Sequence, residues 1–291
     1  MIHSETMDKM LSRVRDFPPL PSVVLQVNRA LKESSVSIDE LGGMIEKDAS
    51  LTVKLLKIAN SSYYGLSYNV DTVTRAVSVL GFDTVRNIAV TLSVGKVFSR
   101  IPEDLLDVGR LWNHSLGSAI AAKILAGRKE KILREEAFIC GIVHDIGQVV
   151  ITQNLPEAQR RIRKRMASES PVPLSAAEMD ELGFTHADAG AYLANKWHFP
   201  TKYAEAIRFH HNPMEADGDD SSSPDKRLVF AVSAGNAIAK HAGIGFGSGA
   251  DVAPIPDEIW GCLGRTADDL DTVVEETRHD FNKIVAGWGM G

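Results

Sequence analysis

Apolar residues recur along the chain at steps of three and four. Leu41, Met44 and Ile45 form one such set, and Leu51, Leu55, Leu56 and Ile58 form the next. That period lines the apolar side chains along one face of an α-helix. Alternating stretches of strand length are scarce. The pattern predicts an all-α chain, with helices near 4–15, 21–34, 38–47, 50–60, 72–80, 82–98, 103–126, 134–152, 156–168, 175–182, 186–197, 200–209, 225–243, 256–263 and 266–285. Two segments, Ser37-Ile-Asp-Glu40 and Ser175-Ala-Ala-Glu178, read as capping boxes, in which a hydroxyl and a carboxylate satisfy the first free backbone N–H groups of a helix.

Punctuation falls at Ser99-Arg-Ile-Pro102, at the acidic, Ser-rich stretch 215–224 and at the glycine-rich stretch 243–249. Gly245-Phe-Gly-Ser-Gly-Ala250 fits the spacing of a dinucleotide fingerprint, but no strand precedes it and no helix follows at once, so it reads as a loop.

Composition narrows the class. With 44% hydrophobic and 24% charged residues over 291 positions, the chain is neither disordered nor collagen-like. A chain of this length buries a core that needs no disulfide or metal to hold it. The net charge of −6 offers no broad attraction to nucleic acid or anionic membranes. The basic run Arg160–Arg165 wraps around more than one helix face, which suits a solvated surface or an acidic partner. Cys140, inside Ala137-Phe-Ile-Cys-Gly-Ile-Val143, reads as a buried inert thiol. The first residues are polar, and no apolar run approaches the ~18 residues of a spanning helix. The expectation is a cytoplasmic protein with no membrane or nucleic-acid partner.

Nine histidines carry the candidate chemistry. The sharpest local feature is His144-Asp145, flanked by apolar residues on both sides. Burying an ionised aspartate is costly unless it is paired or bound to metal. Neighbouring helix positions point about 100° apart, but imidazole and carboxylate differ in length and can reach one ion between them. His114 lies in Leu111-Trp-Asn-His-Ser-Leu116, His186 opens a helix, and His210-His211 close another. A helical bundle can gather such residues from separate helices around metal. Each also has a plain structural alternative. His114 and His186 suit hydrogen-bonded helix ends, His210-His211 suit a cap on the helix dipole, and His144-Asp145 suits an internal ion pair.

The ordered set resembles a known family. Phe17-Pro-Pro-Leu-Pro21, the run Ile45–Ser61 with Asp48, Leu51 and Asn60-Ser61, Ala76-Val-Ser-Val-Leu-Gly81, Trp112-Asn-His-Ser115 and His144-Asp-Ile-Gly147 are similar to the HDOD domain, a relative of HD-type metal phosphohydrolases in bacterial signalling proteins. The resemblance runs from about residue 10 to 245. It implies an all-α HDOD fold: an N-terminal helical subdomain over 1–99 packed on an HD-like helical bundle over 100–245, followed by a helical extension over 246–291. His114 matches the first HD histidine, and His144 and Asp145 match the doublet. His186, His210 and His211 look like the extra ligands of two-metal HD-GYP relatives. Asn236 stands where the family's later Asp falls, and no Gly-Tyr-Pro follows His210-His-Asn-Pro213. A neutral amide holds a divalent cation less strongly than a carboxylate.

The implied cofactor is a divalent transition metal, one or two ions of Fe, Mn, Ni or Zn. The resemblance implies a signalling module acting through a protein partner. Two alternatives stand beside it. One is a metal-dependent phosphohydrolase acting on a nucleotide or cyclic dinucleotide, with His144 and Asp145 as the catalytic residues; the other is a metal or redox sensor. In the hydrolase, the ion would polarise a phosphoryl oxygen and activate water. Lys123, on the helix of His114, is a candidate phosphate contact, with a solvated lysine as the plain alternative. The HDOD-like region takes up most of the chain, so a stand-alone module is expected.

Overall fold

The computed structural model describes residues 37–61, 63–98, 101, 104–127, 130–168, 172–216, 224–246 and 252–288. These residues form helices and connecting turns, with no strand among them. The helices predicted at 4–15 and 21–34, the Phe17–Pro21 motif and most of the acidic loop lie outside them.

Helix α1 (Ile38–Glu46) starts as the sequence predicts: Ser37 Oγ accepts from Glu40 N–H, and the Glu40 carboxylate accepts from Ser37 N–H at 2.8 Å. Asp48 caps α2 (Ala49–Ala59), and Thr72 caps α3 (Val73–Leu80). Helix α4 (Phe82–Phe98) carries an almost wholly buried run. Asp107 accepts from Arg110 N–H and so starts α5 (Val108–Leu125) several residues later than the hydrophobic pattern suggested.

The predicted single helix over 134–152 is two helices, α6 (Lys131–Val143) and α7 (Ile146–Asn154), with the turn at His144-Asp145. Apolar residues continue unbroken through 137–151, so periodicity could not show the interruption. Beyond lie α8 (Pro156–Met166), α9 (Leu174–Leu182), α10 (His186–Lys196), α11 (Thr201–Arg208), α12 (Pro224–His241), α13 (Asp257–Cys262) and α14 (Leu270–Trp288). The predicted box at Ser175 does not form. The residue before α9 is Pro173, which gives no side-chain cap, and Glu178 turns inward, almost fully buried.

One continuous apolar core joins these helices. Helix α5 is its axis, packed by α6 on one side and α12 on another. Small residues set the closeness. A Cβ on Gly141 of α6 would lie 2.5 Å from Ala119 Cα, and one on Gly235 of α12 would lie 2.7 Å from the Ser118 carbonyl oxygen. These approaches bring the His114, His144 and Asn236 backbones within side-chain reach of one another. No described helix is long and apolar enough to cross a membrane.

Candidate metal centre

Asp145 sits in the turn between α6 and α7 with φ −98° and ψ 7°, 4% exposed. Leaving the helix there frees its carboxylate to face four imidazoles. Oδ2 lies 3.4 Å from His144 Nε2 and 3.7 Å from His114 Nε2. Oδ1 lies 3.2 Å from His186 Nε2 and 3.6 Å from His210 Nε2. His211 is the exposed member of the set, and its Nε2 faces inward, 3.0 Å from His186 Nε2. Asn236 joins through His114, with Oδ1 2.9 Å from Nε2. All seven residues singled out in the sequence therefore converge. His198, His241 and His279 are not in the group, and His3 lies outside the described residues.

The rings are oriented from behind. His144 Nδ1–H donates to the Gly141 carbonyl at 2.8 Å, and His210 Nδ1–H donates to the Ile207 carbonyl at 2.6 Å. A carbonyl only accepts, so in the neutral rings Nδ1 holds the proton and Nε2 the lone pair. Both Nε2 atoms are buried without a hydrogen-bond partner among the described residues, and both face the carboxylate. His186 is oriented by a residue that sequence inspection assigned elsewhere. Glu178 accepts from its Nδ1–H at 2.6 Å and from its backbone N–H at 2.9 Å. A carboxylate behind a histidine ring is a common support for a metal ligand. The only sequence signal was an acidic residue eight positions before His186, on another helix. Thr185 and Asp188 form a reciprocal capping box that fixes His186 as the first residue of α10.

Electrostatics follow burial. His114, His144 and His210 are each pushed down to about 4 by desolvation, so they stay neutral near pH 7. Burial acts downward on His186 as well, but Glu178 and Asp145 outweigh it and raise the ring to about 10. Burial would raise Asp145; the surrounding imidazoles hold it well below the usual carboxylate range.

Lys123 is not at the cluster. From another part of α5 it pairs with Glu135 of α6 at 3.0 Å. The nearby cation is Lys240, one helical turn after Asn236 on α12, where burial lowers its pKa. Lys240, Asn236, His210 and His211 line a cavity of about 460 Å³ together with Pro254–Pro256 and Ile259. The basic run on α8 is largely answered within the chain: Arg161 pairs with Glu181 at 2.7 Å and Arg165 with Asp180 at 2.6 Å, both on α9. Gly245 has φ +74°, and a Cβ there would meet His114 Cβ at 2.5 Å, so this turn packs directly on the backbone and Cβ of His114.

An all-helical protein whose core helices focus histidines on one buried aspartate is what these observations define. The family model of the HDOD domain matches residues 17–213, and the chain belongs to that family. An uncharacterized protein of Treponema pallidum (strain Nichols) is 30% identical over 202 residues, 69% of this chain. The chain spans only 38% of that relative's length. Among solved structures, an HDOD domain protein of unknown function from Geobacter sulfurreducens superposes with a TM-score of 0.81 at 23% identity, covering 97% of this chain and 98% of the other. A Marinobacter aquaeolei VT8 protein, provisionally named for signal transduction, superposes with a TM-score of 0.78 at 24% identity, covering 100% of this chain and 66% of the other. At these identities the likeness is one of fold.

Proposed function

We propose that this protein is a signalling module that holds a divalent transition metal at the histidine cluster. In this reading residues 100–245 carry the metal, 1–99 dock a signalling protein partner, and 246–291 extend the bundle. The observation that carries the proposal is the aim of the imidazoles. His144 and His210 use Nδ1 on carbonyls and turn on Asp145 buried Nε2 atoms that have no hydrogen-bond partner among the described residues. Buried polar atoms are rarely left without a partner. A cation on either side of Asp145 would answer the lone pair facing it and the carboxylate charge at once. Imidazole and carboxylate suit Fe, Mn, Ni or Zn.

His114, His144, Asp145 and Asn236 would hold one ion, and Asp145, His186, His210 and His211 a second, with one carboxylate oxygen facing each group. Asn236 brings no charge, so the first group is the weaker. Glu178 keeps the His186 ring in place. Elemental analysis of protein purified without chelators tests the proposal. The expected result is bound Fe, Mn, Ni or Zn, lost in His144→Ala. Metal-free protein that also fails to take up any of the four defeats it.

The cavity beside the cluster favours a second reading, a metal-dependent phosphohydrolase acting on a nucleotide or cyclic dinucleotide. A bound divalent ion supplies Lewis acidity toward a phosphoryl oxygen and activates water. Lys240, which lines this cavity, would pair with the substrate's phosphate. Metal-loaded protein should then turn over bis(4-nitrophenyl) phosphate, and His144→Ala should abolish it. Metal-loaded protein without turnover leaves the signalling reading alone.

A further inference from the structure

A second cavity opens where α4, α5, α6 and α14 meet the turn after α2. It measures about 290 Å³ and shares no lining residue with the cavity beside Lys240. Phe138, in its wall, precedes His144 by about 9 Å along α6. The two sites are therefore distinct.

The walls are aromatic. Tyr63 and Tyr64 pack edge to face at 4.7 Å, with Phe138 and Trp288 lining the same space. Helix α14 is pressed onto this wall, since a Cβ on Gly287 would lie 2.7 Å from Tyr63 Cβ. Trp288 is thus part of the wall. Its Nε1–H is buried and has no acceptor among the described residues.

The polar groups are lopsided. Lys123 already pairs with Glu135. Arg134 lines the cavity, and its guanidinium has no ion-pair or hydrogen-bond partner among the described residues. Asp280, the acid in the lining, makes no ion pair with it. With no partner for either among the described residues, the Arg134 guanidinium and the buried Trp288 indole N–H both suit an acceptor, and a guanidinium bonds best to a carboxylate or phosphate. Aromatic walls require a flat apolar body, best stacked or edge-on. At about 290 Å³ the volume falls just under the usual lower bound of ligand pockets, about 300 Å³, which suits a single small ring system and not a dinucleotide.

We propose that this cavity binds a small planar aromatic anion, its ring between Tyr64, Phe138 and Trp288 and its carboxylate or phosphate on Arg134. Titration calorimetry of the full chain with 2-naphthoate, neutral 2-naphthamide and adenosine 5′-monophosphate tests it. One of the two anions should bind, and which one does identifies the source of the negative group. The bound anion should bind about tenfold more tightly than naphthamide, the worth of one charge-assisted contact. Arg134→Gln, a partly exposed position whose side chain bonds to none of the described residues, should remove that advantage and leave metal content unchanged. Trp288→Phe keeps the ring and deletes the N–H; it should weaken the same anion. Three results overturn the proposal: no anion bound at millimolar concentration, naphthamide equal to naphthoate with no binding of the nucleotide, or anion affinity unchanged in both variants.

Discussion

Gly147, two residues after Asp145, is the point where α7 meets α10. A Cβ at that position would lie 1.8 Å from the His186 carbonyl oxygen and 2.7 Å from Gly190 N. Both obstacles are backbone, so no side chain can swing away. Real Cβ contacts do not fall below 3.0 Å, and the two helices would have to part by more than an ångström. Overpacking of this kind costs about 1–3 kcal/mol, and the upper end applies because backbone has to move. For a chain of this size that lowers the melting temperature by about 5–10 °C. The same movement pulls His186 from Asp145, now 3.2 Å apart, so metal binding should weaken about tenfold or more. Gly43→Ala is the control. Gly43 is exposed in α1 with nothing within 4 Å of the added methyl, and alanine there should stabilise the helix by about 0.5–1 kcal/mol. Thermal melts with and without added Mn or Zn, beside elemental analysis, read both effects. A Gly147→Ala protein that melts with the wild type and binds metal equally well would refute the placement of α7 against α10.

Two further substitutions address the side chains around the ligands. Glu178→Gln keeps an acceptor for His186 Nδ1–H but removes the charge behind the ring; metal affinity should fall about 10–100-fold, read by competition with a coloured chelator. Asn236→Asp adds the charge that the first ligand group lacks, and should both tighten metal binding about tenfold and lower the melting temperature of the metal-free protein, because the new carboxylate is buried and faces the same His114 ring as the like-charged Asp145. An Asn236→Asp protein whose melting temperature gains no more from added metal than the wild type would count against Asn236 as a ligand position.

Much of the secondary structure was legible because its causes are local. The bounds of α4 at 82 and 98 follow from its apolar run, and the Ser37 box forms because its hydroxyl and carboxylate lie three residues apart. The Ser175 box failed for a non-local reason. Glu178 has a stronger partner in His186, and two charge-assisted bonds there outweigh one exposed cap. The break between α6 and α7 was invisible because the residues flanking it are buried on all sides, which erases the helical period. Lys123 and Lys240 were exchanged in importance for a related reason. Position on a helix gives direction only once the helix is packed, and α5 turns Lys123 toward Glu135 while α12 turns Lys240 toward the cluster.

Residue order alone determined that this chain is helical and which side chains could ligate a metal, since periodicity, caps and donor chemistry act over a few residues. Packing decided that the imidazoles meet at Asp145, which nitrogen of His144 and His210 faces it, and that Glu178 and Lys240 attend them. Those outcomes depend on how closely α5, α6, α7, α10 and α12 approach. That closeness is set by methyl-sized gaps at Ser118, Ala119, Gly141, Gly147 and Gly235, whose partners lie far away along the chain.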